Sequence, residues 1–268
     1  MSASLYGVAP WLAAAGYGAL FLAGMQRPAA PWRLGRHALA GFTLRVQGLV
    51  LRPGWFSEGA IQFGFAAAVS WMLWLAVILL WVESWFHHLP RLAVSIFPLA
   101  AIAVLLPGWF PGVVLLEHPS LLFRGHILTA MLAYSCFAIA SGHALLMLAQ
   151  EKALHRGQLQ DGWWTEMPPL LEMDQTLARI AMVGIGLLSL TLLTGMVVNL
   201  DAGLPALRFD HKTLFTLLTW VMVGVFLLGR GRMGWRGRVA ARFVLGGFAM
   251  LLLAYVGSRF VLEIFIAA

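Results

Sequence analysis

Apolar runs of about 20 residues recur along the whole chain, divided by short polar stretches rich in arginine, proline and glycine. A run of that length crosses about 30 Å of hydrocarbon as a helix, with every backbone hydrogen bond closed inside the segment. The pattern predicts eight helices, over residues 5–25, 37–51, 61–81, 92–106, 125–150, 177–200, 212–228 and 243–266. The second is short and carries Arg45 at its middle. Spanning there is costly unless Arg45 faces a polar cavity or a partner, and the alternative is an amphipathic helix lying in the interface. Pro-Gly-Trp-Phe occurs twice, at Pro53 and Pro107. In each, proline and glycine turn the chain while the aromatics sit at headgroup level.

Composition agrees with this patterning. The 268 residues are 61% hydrophobic and 11% charged, against about 25% charged in a soluble domain. The expected architecture is all-α, a polytopic transmembrane bundle forming one integral membrane domain over 1–268. The net charge of +7 raises the idea of a nucleic-acid partner, but the arginines fall in alternate loops, as the positive-inside rule requires. Twelve Lys/Arg residues fall on one side, including Arg27, Arg33, Arg36, Arg91 and the run Arg230 to Arg242. Five (Arg52, Arg124, Arg208, Lys212 and Arg259) fall on the other, and Arg45 is unassigned. This predicts both termini on the outer, periplasmic side of a bacterial inner membrane, with the lipid bilayer as first partner. Residues 1–25 lack the basic n-region of a cleavable signal. The single Cys136 leaves no internal disulfide and no CxxC redox pair. No metal-hydrolase spacing, nucleotide loop or nucleophile elbow is present, so an enzyme is not expected.

The candidate chemistry lies at helix starts. His126 opens the fifth helix and His211 the seventh, and both helices run inward, which puts both histidines near the outer face. A neutral imidazole is a good axial ligand for haem iron. Arg124 and Arg208 stand beside them as partners for propionates. Arg259 is a third such cation, with Glu263 one turn along as its alternative partner. A helix-end histidine is more often a solvated or capping residue, and Asp210 has a role of its own at a helix N-terminus. His143 lies 17 residues beyond His126, about 25 Å along the axis, and cannot share one haem with it. It is expected to make a helix–helix hydrogen bond, with a second, inner site as the alternative. His87, His88 and His155 fall in inner loops, and His118 in an outer one.

The residues also carry a family resemblance. It runs through His126-Ile127-Leu128, Ala133-Tyr134, Pro168-Pro169-Leu170-Leu171-Glu172 and Asp210-His211-Lys212-Thr213 with Trp220. It continues in Gly234-Trp235-Arg236-Gly237-Arg238 and Ala254-Tyr255-Val256-Gly257-Ser258-Arg259. Over roughly 118–264 the chain resembles the cytochrome c assembly family (CcmC- and CcsA-like proteins), closest to its small HemX/YpjD-like branch. The first 115 residues resemble it mainly in hydropathy. The resemblance implies haem handling at the outer face, with a tryptophan-rich loop over the haem flanked by outer histidines. It would match His126 to the first of these, and Phe209-Asp210-His211-Lys212 to the end of the tryptophan-rich segment. Three departures stand out. Loop 201–209 contains no tryptophan. Arg259 stands near the place of the second outer histidine, and His211 falls where haem-attaching relatives generally have proline. They favour haem homeostasis or an accessory role in assembly over direct delivery to apocytochrome.

The leading expectation is a non-enzymatic protein of the cytochrome c assembly type. It would bind, present or export a non-covalent b-type haem at the outer face, with assembly proteins as partners. The alternatives are a haem-free structural or regulatory membrane subunit and a secondary transporter of another solute. Repeated halves with matching broken helices would mark the latter; no clear pair is found.

Overall fold

The computed structural model describes residues 3–26, 34–56, 60–85, 90–157, 164 and 167–266. Arg27, Arg33, His87, His88 and part of loop 151–174 lie outside the described residues. The helices follow the apolar runs. They are α1 (Ala3–Gln26), α2 (Leu34–Phe56), α3 (Phe65–Glu83), α4 (Pro90–Ala103), a single turn α5 (Leu106–Trp109) and α6 (Leu121–His155). Then come α7 (Leu170–Asp201), α8 (His211–Met233) and α9 (Arg238–Leu252). The last is continued by a π turn (Leu253–Gly257), a short α10 (Ser258–Val261) and a second π turn (Leu262–Ile266). The all-α, multi-pass architecture is as the hydropathy predicts. Among the described residues six helices are long and apolar enough to cross a membrane: those beginning at Gly7, Phe65, Leu121, Leu170, His211 and Arg238.

Several boundaries differ from expectation for one reason. Hydropathy marks the part of a helix that meets hydrocarbon, whereas backbone hydrogen bonding continues into polar sequence. Thus α6 runs on to His155, α7 begins at Leu170 and α9 at Arg238. The second helix is not short: α2 has 23 residues, about 35 Å, and passes through Arg52-Pro53-Gly54. It is still not among the six apolar spans, and Arg45 is exposed between buried Leu44 and Val46.

The chain divides into two compact units, Met1–Ser120 with Arg259–Ala268, and Leu121–Ser258. In the first, α1 packs on α2 and α4, and α3 on α2 and α4. Small residues allow close approach: a Cβ on Gly16 would collide with the Thr43 side chain, and one on Gly24 with Val94. Several polar groups between these helices are paired. The Tyr17 hydroxyl donates to Gln47 Oε1, and Gln47 Nε2 donates to Ser70 Oγ at 3.2 Å. A short antiparallel pair, unanticipated from sequence, joins β1 (Ala60–Gln62) to β2 (Val114–Glu117), with Ile61 opposite Leu116. Next to it, the second Pro-Gly-Trp-Phe string forms α5 rather than an open turn, and Trp109 is exposed. The end of the chain closes this unit. Glu263 accepts the Phe65 N–H at the start of α3, with the Arg259 charge acting on it. Gly64 has to be glycine here, because a Cβ would lie 2.6 Å from Glu263 Oε2 and 2.7 Å from the Gly112 Cα.

The second unit is a four-helix bundle. Helix α6 meets α7 and α9, and α8 meets the same two, so α6 and α8 stand at opposite corners and run in the same direction. Glycines again set the spacing: a Cβ on Gly184 would stand 3.2 Å from the Phe137 ring, and one on Gly247 3.1 Å from Val223. The outer side of α7 exposes Met182, Val183, Leu190, Leu193 and Val197, an apolar surface suited to lipid.

Candidate functional site

Because α6 and α8 run the same way, their N-terminal ends share one end of the bundle; His211 opens α8, and His126 lies in the second turn of α6. The local sequence explains how α8 begins. Asp210, extended at φ −97 and ψ 169, caps the helix by accepting the Thr213 N–H at 2.9 Å. Burial opposes ionisation of Asp210. The Thr213 N–H and hydroxyl, together with Lys212 and His211, outweigh this and hold its carboxyl below the usual range. Lys212 lies over the Tyr255 ring, 5.4 Å from its centroid, and His211 is exposed. The preceding loop is folded on itself: Asn199 Nδ2 donates to Ala206 O at 3.1 Å, and Asn199 O accepts the Leu204 N–H at 2.9 Å.

His126 sits one turn inside α6, partly buried against α7. Its Nδ1 is 3.0 Å from Thr194 Oγ1, and its ring lies over Gly195, where a Cβ would come within 3.1 Å of Cε1. Arg124, two residues earlier on α6, is half-buried, and Arg208 is exposed in the loop. Arg259 belongs to the first unit, so four of the five expected site residues lie in the four-helix unit. His126 and His211 share an end, but among the described residues no hydrogen bond or ring contact joins them. His118, at φ 52, is in the left-handed region. His143 does not make the helix–helix hydrogen bond expected of it: it is buried, and neither ring nitrogen has a partner among the described residues.

Two features escaped sequence reasoning. One is the Thr194–Gly195 seat under His126, 68 residues away along the chain. The other is a wedge in the last helix. The Tyr134 hydroxyl donates to Leu251 O at 2.6 Å and accepts the Tyr255 N–H. It thus occupies the Leu251–Tyr255 rung of the helical ladder, where the π turn Leu253–Gly257 begins. A side chain inserted at such a rung is a known cause of helix distortion, and it places Tyr255 where Lys212 meets it.

The opposite end of this unit is closed by Asp174. Its Oδ2 takes Arg230 Nη1 at 2.7 Å and its Oδ1 takes the Gly237 N–H at 2.8 Å. Lys152, Arg156, Arg232, Arg236, Arg238 and Arg242 are exposed around it.

Among the described residues no three His, Cys, Asp or Glu side chains converge, so the histidines can offer one or two donors rather than a closed metal cage. That donor set suits haem, whose ring fills the remaining coordination positions. One nitrogen of His126 is engaged by the helix beneath, and Gly195 leaves room for the imidazole.

Comparison with known proteins bears on this arrangement. Residues 55–266 match the family model described as Cytochrome C assembly protein. An uncharacterized 28.8 kDa protein of Azospirillum brasilense is 29% identical over 255 residues, covering 85% of this chain and 90% of its own. The inner membrane protein YpjD of Escherichia coli K12 is 32% identical over 139 residues, 52% of this chain and 51% of that one. The cytochrome c biogenesis protein CcsA of Prochlorococcus marinus MIT 9515 is 33% identical over 89 residues, 33% of this chain and 28% of that one. No solved structure matches the chain.

Proposed function

We propose, from the premise that the chain belongs to the cytochrome c assembly protein family, that it binds and presents haem at the outer face of a bacterial inner membrane. The observation that carries this reading is that two histidines lie near the N-terminal ends of two like-directed helices, at the same end of a membrane bundle. His126 and His211 are the axial donors, and Arg124 and Arg208 are the partners for the propionates. Arg259, the third cation expected from the sequence, lies in the first unit. Haem, when bound, supplies the iron and the cargo to be passed on. The chain supplies a donor seated on α7, a donor at the exposed mouth of α8, and guanidinium groups for the carboxylates.

The charge distribution supports the orientation. The exposed arginines and Lys152 crowd the end opposite the histidines, and an excess of such residues marks the cytoplasmic side. YpjD is described as an inner membrane protein, which supports the same membrane for this chain. Both termini would then be periplasmic, and the protein acts by binding rather than by catalysis.

Haemin titration of the detergent-purified protein, followed by absorption, tests the proposal. After reduction of the ferric complex with dithionite, wild type is expected to give a six-coordinate spectrum that His126→Ala/His211→Ala loses. If wild type stays colourless, or if the double variant binds as wild type does, the reading is wrong. In the first case the haem-free subunit takes its place.

A further inference from the structure

We propose that Thr194 is a positioning residue that locks His126 in the tautomer with its proton on Nδ1 and so presents Nε2 as the free donor. The proposal deepens the haem reading and rests on it for its purpose, though not for its geometry.

A hydroxyl has one proton, and that of Thr194 is already directed along its own helix. Thr194 Oγ1 lies 2.8 Å from Leu190 O and 3.1 Å from Thr191 O, the back-bonding geometry usual for threonine in a helix. Both neighbours are carbonyls, which only accept. The bond from Thr194 Oγ1 to His126 Nδ1, at 3.0 Å, must therefore run the other way, with the ring nitrogen donating. In a neutral imidazole a proton on Nδ1 leaves the lone pair on Nε2. Which nitrogen of a histidine is left to bind a metal is set by the hydrogen bond the other makes.

Gly195 completes the device. With no Cβ it lets the ring lie on α7 close enough to reach Thr194; a Cβ would stand 3.1 Å from Cε1, 3.7 Å from Nδ1 and 3.8 Å from Nε2. Serine keeps the acceptor, whereas valine keeps the shape and removes it. Alanine at 195 instead pushes the ring away from the acceptor.

Histidine ring-nitrogen NMR of the full-length, haem-free protein in detergent decides the tautomer, with the His126 signals assigned by their loss in His126→Ala. Wild type and Thr194→Ser are expected to show a protonated Nδ1 and a bare Nε2. Thr194→Val and Gly195→Ala are expected to show a mixture of tautomers. In haemin titrations Thr194→Val is expected to bind about 10-fold or more weakly, in the range seen when groups supporting a metal ligand are removed, and Thr194→Ser is expected to restore binding. A wild-type ring with its proton on Nε2, or a Thr194→Val protein matching wild type in both measurements, overturns the proposal. Failure of the haem reading looks different: His126→Ala then binds haemin as wild type does, while the apo-state tautomer still reports on Thr194 alone.

Discussion

Where α7 begins, the Asp174 side chain is 4% exposed, and its two oxygens are both engaged, by Arg230 and by the Gly237 N–H. Beside it Gly234 and Gly237 hold positive φ, and Trp235 lies against Gly229 and stacks on Phe243 at 5.0 Å. At the other end of the same unit His211 and Arg208 are exposed, and Phe209 is 82% exposed. Both ends are rich in charge and glycine, and both contain residues of the family resemblance. At the first, Asp174, Arg230 and the Gly237 N–H satisfy one another and fix the turn between α8 and α9, with further cations exposed around them. At the second the polar groups are held from behind and left open in front. Motif residues alone do not distinguish structural from functional chemistry; the difference lies in whether each polar group already has an internal partner.

The largest effect expected from breaking this contrast is at the closed end. Asp174→Ala leaves the partly buried Arg230 guanidinium without its carboxylate and the α8–α9 turn without its anchor. Removing one partner of a buried pair costs about 3–5 kcal/mol. Asp174→Ala is therefore expected to lower the melting temperature in detergent sharply, with Arg230→Met in the same chain restoring part of it. An unchanged melting curve would show that this end is not built on that pair. Next is Tyr134→Phe, which keeps the ring but strips the hydroxyl from Leu251 O and the Tyr255 N–H. Unsatisfied buried groups cost about 1–3 kcal/mol each, unless the π turn over Leu253–Gly257 relaxes into regular helix. Helix relaxation would rotate Tyr255 away from Lys212. Hydrogen exchange at the α8 start separates the two responses.

Eight helical segments were legible because each must satisfy its backbone inside hydrocarbon, and that requirement writes itself into composition. The extensions of α6, α7 and α9 were not legible, since polar helix beyond the membrane looks like loop. Neither was the β1–β2 pair, which joins Ile61 to Leu116 through runs too short to show a period. The π turn depends on Tyr134, 117 positions from the carbonyl it binds. His126 and His211 were visible as helix-starting histidines, but the partner that gives His126 a defined donor was not, because threonine and glycine in an apolar helix read first as packing. The grouping of Arg259 with the first unit follows from Glu263 meeting the start of α3, a contact set by folding rather than by spacing.

The two smallest expected effects set the ends of the unit against each other. Asp210→Ala removes the cap of α8, worth about 1 kcal/mol. Its consequence should be local: faster hydrogen exchange in the first turn of α8 and a weaker haemin complex through His211, with little change in global melting. At the closed end Arg238 Nε is 2.9 Å from Glu151 Oε2, but the arginine side chain is 56% exposed. Exposed pairs contribute about 0.2–1 kcal/mol and are screened by salt, so Arg238→Gln should change neither melting nor haemin binding measurably. The two variants each remove one charged side chain, from opposite ends of one bundle. If Arg238→Gln weakens haemin binding as much as Asp210→Ala does, the division into a closed structural end and an open binding end fails.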